Sequence, residues 1–320
     1  MWRSGVTSPA FRQPWMPCSV VPLDKGGCKA RPIVLQEALL KLATGTAVSV
    51  VARGLERTLL PEQHGAGGEG GAARMTWQLR AAMASAPNDA FVGIDCRNAF
   101  GSMSRAAVVA EADECCPGLS GMFRSLWDGV SPVLVVDGPG GASTLHEVTD
   151  GLTQGGCDAQ PGFCLGLRRV LRRTDARCRA DGISIHAWAY VHDVVIQVDP
   201  HHAAQMVAHF DAECATASLE RRPDKGHWYV PAGMCDPECI PSAVGEHSPD
   251  GLPVLGTVAD GAFATVVGAP SEAAQHAAQQ PALDRLKAAE TLASRIHDLI
   301  RTPHRDPQGP CGVASHRRCP

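Results

Sequence analysis

Two carboxylates stand where a folded chain can aim them at one point. Phe91 to Asp95 is a short apolar run bounded by Asn88-Asp89, and it reads as a buried strand that presents an acid at its end. Ile183 to Tyr190 and Val194 to Val198 are β-prone runs separated by Val191-His192-Asp193, which reads as a hairpin with an acid at its tip. Carboxylates delivered from separate strands are the ligands that hard divalent cations require. A pair of such cations about 3.5–4 Å apart can activate a primer hydroxyl and hold a triphosphate. A strand-ending Asp95 taken alone would be a turn or cap residue.

Other constellations carry weaker chemistry. The glycine-rich stretch His64 to Gly71 lacks the Gly-Lys-Ser/Thr ending of a phosphate loop and reads as a flexible connector. Cys235 and Cys239 have a permitted zinc spacing, but His227 and His247 lack the paired spacing that would complete it, so unliganded thiols are the better reading. Arg168, Arg169, Arg172 and Arg173, with Arg177 and Arg179, form the most basic stretch. Phosphate contact and a solvated helix face are both open for them.

The elements that must position these groups follow from pattern. Ser19 to Leu35 alternates around Asp24-Lys25-Gly26-Gly27 and predicts a hairpin flanked by Lys25 and Arg31. Gln36 to Leu60 has helical spacing and ends at Pro61. Ser104 is expected to cap a helix running to Cys115 and stopped by Pro117. Leu126 to Val136, followed by Asp137-Gly138, predicts a second hairpin, and Pro161 to Arg179 a helix. His201 to Leu219 is another helix, with Met206, Val207, Phe210 and Cys214 on one face. A short strand is expected beyond Pro253, then an Ala-rich helix from Leu283 to Ile300 and a disordered tail from Thr302 to Pro320.

Read in order, five blocks resemble reverse transcriptases, especially those of non-LTR retrotransposons, over roughly residues 17 to 258. Lys25 and Lys29-Ala30-Arg31-Pro32-Ile33 resemble the fingers motif, which implies that Lys25 and Arg31 hold the incoming triphosphate. Gly93-Ile94-Asp95-Cys96-Arg97-Asn98-Ala99-Phe100 resembles the first palm motif, with Asp95 a metal ligand and Phe100 the gate against a ribose 2′-hydroxyl. Gly151-Leu152-Thr153-Gln154-Gly155-Gly156 resembles the block supporting the templating base and dNTP, which marks Gln154 and Gly155. Ala189-Tyr190-Val191-His192-Asp193-Val194 resembles the Tyr-x-Asp-Asp hairpin, with Tyr190 at the nucleotide site and Asp193 a metal ligand. Pro223-Asp224-Lys225 and Leu255-Gly256-Thr257 resemble later palm motifs, with Lys225 near the leaving pyrophosphate.

The resemblance implies an α/β (α+β) fold with fingers and palm, the palm an antiparallel sheet backed by helices. The expected division is a tail over 1–16, fingers over 17–90, palm over 91–258, and a truncated thumb-like helix with its tail over 259–320. The implied activity is RNA-directed DNA synthesis, with an RNA template, a DNA primer, dNTPs and two Mg²⁺ ions, Mn²⁺ being the alternative. The catalytic positions are then Asp95, Asp193 and His192, and His192 is a departure: the family carries a first aspartate there. Gly156 also replaces a usual acid. Imidazole suits zinc and copper better than magnesium, so catalysis is expected to be weakened or lost. The alternative is a catalytically dead remnant that at most binds nucleic acid.

Composition narrows the setting. A net charge of -4 and a pI near 6.3 require any nucleic-acid site to be a local groove rather than a whole basic surface. Thirteen cysteines form no evident framework and the N-terminus lacks a signal peptide's apolar core, so reduced thiols and an intracellular location are expected, nucleus and cytoplasm alike. No run approaches the roughly 18 apolar residues of a spanning helix, and no membrane partner is expected.

Overall fold

The computed structural model describes residues 17–24, 30–66, 69–128, 133–137, 143–233 and 240–260, all within a unit spanning Met1–Ala264. Lys25, Cys235, Cys239, the expected 283–300 helix and the tail lie outside the described residues.

The alternation at the N-terminal end produces the expected hairpin, β1 (Pro17–Asp24) and β2 (Ala30–Gln36), with Cys18 opposite Gln36 and Asp24 opposite Ala30. Helix α1 (Ala38–Leu59) follows, capped by Glu37, whose carboxylate accepts from the Leu39 and Leu40 N–H groups at 2.7 and 3.2 Å. Among its side chains only Thr44, Leu55 and Leu59 are buried, while Leu39, Leu42 and Val50 are exposed. Its length and composition are those of a helix able to cross a membrane, which corrects the expectation that no stretch approaches that limit.

Helix α2 (Gly71–Ser85) follows the glycine-rich connector, in a stretch to which the sequence pattern assigned no element. Met75, Leu79 and Met83 recur every fourth residue and are fully buried, so one face of the helix drives the folding of this stretch. Strand β3 (Ala90–Ile94) and the single turn α3 (Ala99–Ser102) precede α4 (Arg105–Cys115), which starts after Ser104 as expected. The Ser104 side chain makes no capping bond. The helix ends at Cys115, as expected, and two residues on stands Pro117. It opens α5 (Pro117–Trp127), where a missing N–H costs no hydrogen bond. Leu126 therefore belongs to a helix rather than to a strand, with Leu119, Met122 and Phe123 buried beside it. The second hairpin begins later, as β4 (Val133–Asp137) and β5 (Ser143–Glu147).

Helix α6 (Ala159–Ala180) leads to β6 (Ile185–Tyr190) and β7 (Asp193–Val198). A 3-10 turn at Pro200–His202, capped by Asp199, leads into α7 (Ala203–Thr216). Short strands β8 (His227–Tyr229), β9 (Glu246–His247), β10 (Leu252–Val254) and β11 (Thr257–Ala259) complete the described chain.

The central sheet has the order β6-β7-β3-β8-β9 and is antiparallel except between β8 and β9. Both of its faces are covered, which explains why β3 is apolar throughout instead of alternating with polar residues. Ala90, Val92 and Ile94, with Val194, Ile196 and Val198, pack in one cluster with Phe123, Phe163 and Phe210 from the helices. Phe91, Val195 and Trp188 face the other way and pack with Met75, Leu79 and Met83 of α2 and with Leu252 and Val254 of β10. A second sheet, β2-β1-β4-β5, joins the two hairpins through a parallel β1–β4 contact.

Candidate active site

Register brings the two predicted carboxylates together. In the antiparallel β3–β7 pair Ile94 stands opposite Val194, and Asp95 and Asp193 are the next residues beyond that pair, close enough that the Asp95 charge acts on the Asp193 carboxyl. Burial pushes the Asp193 carboxyl above the usual carboxylate range, the nearby His192 pulls it down, and Asp95 pushes it up again. Asp95 itself is met by a cation, since Lys225 Nζ lies 3.5 Å from its Oδ2.

Beside the carboxylates opens a cleft of about 530 Å³, lined among others by Asp95, Phe100, Gln154, His192, Arg222 and Lys225. This is a volume typical of small-molecule sites. The Phe100 ring packs on Phe163 at 4.9 Å between centroids and meets His192 edge-on at 6.3 Å, so its base is in the core while its rim faces the cleft. His192 Nδ1 is buried with no hydrogen-bond partner among the described residues. Gln154 reaches the cleft because its loop rests on β2: the Val34 N–H donates to the Gln154 carbonyl at 2.7 Å. Gly155 permits that approach, with φ at +113° and a Cβ there falling 2.5 Å from the Val34 carbonyl oxygen.

Not every predicted residue lines the cleft. Asp193, Tyr190 and Gly155 are not among the lining residues, Arg31 is placed by its backbone in β2 only, and Lys25 lies outside the described residues. Arg168, Arg169, Arg172 and Arg173 do not line it either. Arg168 pairs with Glu111, to which Arg169 and Arg172 each come within 3.7 Å, and Arg169 also binds Glu114 at 2.8 Å. Arg173 binds Glu213 at 2.5 Å, and Arg177 joins it there. Glu111 and Glu213 are each 1% exposed, and buried carboxylates need such cations. The basic stretch thus compensates two buried acids, while Arg172, Arg173 and Arg177 keep about half of their side-chain surface exposed.

Arg222, Asn98, Thr153 and Asp150 also line the cleft, and sequence reasoning did not single them out. Arg222 was within reach, being next to Pro223-Asp224-Lys225, and it is ion-paired with Asp224. Asp150 had no chemical signal; its Oδ1 accepts from the Arg105 and Gly151 N–H groups at 2.9 Å each, which fixes the start of the loop carrying Gln154.

At the level of sequence, no family model and no curated protein matches the chain. Solved structures do. Apo telomerase from Candida tropicalis truncated from its C-terminal domain aligns with a TM-score of 0.50 at 9% identity, covering 69% of this chain and 50% of that one. Telomerase from Candida albicans, in complex with a TWJ fragment of telomeric RNA, aligns with a TM-score of 0.53 at 10% identity, covering 69% of this chain and 44% of that one. The fold is reverse-transcriptase-like. The chain spans about half the length of those two structures.

The resemblance of the ordered sequence blocks to reverse transcriptases implies a centre for divalent cations, and the residues present can be tested against it. Two magnesium ions need several converging oxygen donors. Here the cleft wall beside Asp95 is an imidazole, Asp95 is shared with Lys225, and among the described residues no group of three His, Cys, Asp or Glu is arranged to hold a metal ion. The donor set does not fit a two-magnesium centre.

Proposed function

We propose that this chain is a reverse-transcriptase-related domain that receives a primer end, a template and an incoming nucleotide at the palm cleft, and that nucleotide transfer there is poor or lost. The observation that carries this reading is the cleft wall itself: Asp95 and Lys225 stand in it, and His192 occupies the place where a second carboxylate would be needed. Nucleotide recognition is assigned to Phe100, Gln154, Tyr190 and Lys225, and the resemblance of their block to the fingers motif assigns Lys25 and Arg31 to the triphosphate. RNA as template and dNTPs as substrate are the finer assignment, supported by the ordered blocks from Lys25 to Thr257, as is descent from a non-LTR retroelement.

The test is primer extension on an RNA template, with Mg²⁺ and separately with Mn²⁺, comparing the unaltered chain with His192→Asp. Weak or absent extension by the former and clear extension by the latter supports the reading. Adding Asp95→Asn or Asp193→Asn to the reverted chain should abolish synthesis again. Robust Mg²⁺-dependent synthesis by the unaltered chain overturns it. If the reverted chain binds a primer–template duplex without extending it, the domain is a nucleic-acid-binding remnant.

A further inference from the structure

A β-branched residue in left-handed backbone is a sterically costly conformation that persists only where its surroundings over-determine it. Val191 is such a residue, with φ at 57°, in the two-residue turn between Tyr190 and Asp193. What holds it comes from 128 positions earlier in the chain. The Gln63 side chain, in a residue 1% exposed, donates from Nε2 to the Val191 carbonyl at 3.0 Å and accepts at Oε1 from the Val191 N–H at 2.9 Å. One carboxamide therefore satisfies both backbone polar groups of the strained residue.

The surrounding segment is built to keep that carboxamide in place. Gln63 Oε1 also accepts from the Gly65 N–H at 2.8 Å, and a Cβ on Gly65 would fall 2.3 Å from the Val191 nitrogen, so only glycine lets the two chains approach. On either side of Gln63 the backbone is stitched to β6: the Ala189 N–H donates to the Glu62 carbonyl at 2.6 Å, and the His64 N–H donates to the Ala189 carbonyl at 2.7 Å. Gln160, at the start of α6, donates to the Gly65 carbonyl. Gln63 does not line the cleft, so its part is indirect.

We propose that Gln63 is a positioning residue for the palm hairpin: its carboxamide holds Val191 left-handed and so sets where His192 and Asp193 stand relative to Asp95. This rests on reading that hairpin as part of the nucleotide-transfer centre. The plainer reading is a buried glutamine that stabilises the fold as a whole.

The full-length chain tests it by two independent readouts. The first is amide hydrogen exchange, which needs no activity. Gln63→Ala, and Gln63→Met as the variant that keeps the side-chain volume, should each speed exchange at the Val191 N–H by about tenfold or more, the scale of a lost buried partner. Exchange at β3 amides should stay near the parent value. The second readout is primer extension in the His192→Asp background, where a displaced hairpin should lower kcat by about ten- to a hundredfold with a smaller change in dNTP KM. Adding Val191→Gly should recover part of that loss, because glycine adopts the left-handed turn without a clamp. Unchanged Val191 exchange, or a rise shared by every β3 amide, overturns the proposal, as does a failure of Val191→Gly to recover activity. If the reverted chain is inactive while exchange changes locally at Val191, hairpin positioning stands and the polymerase reading is what fails.

Discussion

His192→Asp places a carboxylate where an imidazole now edges Phe100 and lines the cleft beside Asp95. A unit charge interacts with another at about 4 Å and an effective dielectric near 20 with about 4 kcal/mol. Toward a divalent cation the new carboxylate therefore gains about 8 kcal/mol, of which the desolvation of carboxylate and cation, several kcal/mol per ion, returns about half. The net of about 4 kcal/mol corresponds to nearly three orders of magnitude in cation affinity. Lys225 does not cancel this, because its side chain is 55% exposed and an ion pair of that kind is worth only about 0–1 kcal/mol. Titration with Mn²⁺, followed by its electron paramagnetic resonance signal, measures the affinity directly. The reverted protein should bind Mn²⁺ about a hundred- to a thousandfold more tightly than the parent, and extension of a primer should appear with it. Affinity within a few-fold of the parent would refute the reasoning that missing negative charge is what limits this centre.

Three further outcomes are expected. Leu79→Ala should cost about 2–5 kcal/mol in urea unfolding, since its side chain is fully buried against the central sheet, and an unchanged stability would refute that packing role. Phe100→Ala, made on His192→Asp, should raise ribonucleotide incorporation relative to deoxyribonucleotide, and an unchanged ratio would remove the gate role. Asp158, buried at the start of α6, has its carboxyl pushed up by burial, although Gln36 Nε2 donates to it at 2.7 Å. A raised carboxyl is most favourable to the fold while protonated, so its contribution is full below the ordinary carboxylate range and is lost as pH rises through the raised value. Asp158→Asn should then melt at least as high as the parent at neutral pH and show a flatter pH dependence, which thermal melts across that range will check.

The parts of this protein that could be read from its sequence are those whose cause is local. Asp95 ends an apolar run and Asp193 begins another, and both runs are recognisable as strands whose pairing, with Ile94 opposite Val194, leaves the two acids at neighbouring strand ends. The helix of Met75, Leu79 and Met83 has an equally local cause, yet it opens with Gly70-Gly71 and lacks a side-chain cap, so the glycine signal hid the four-residue spacing behind it. The proline at 117 was legible as the stop of the preceding helix, but its ring also suits a first turn, and that it opens a second helix was not legible.

What could not be read is polar and distant. Glu111 meets Arg168 across 57 positions, Glu213 meets Arg173 across 40, and Gln63 meets Val191 across 128. No periodicity encodes such pairings, because each needs only one residue at each end and the fold supplies the proximity. The chemistry of this cleft is written in contiguous blocks that resemble a known family, while the groups that hold those blocks in place are single residues with no neighbours to announce them. Gln63 shows the difference most sharply. It stands beside a glycine-rich stretch that lacks a phosphate loop's ending, and Gly65 of that stretch lets backbone approach backbone at the turn that carries His192 and Asp193.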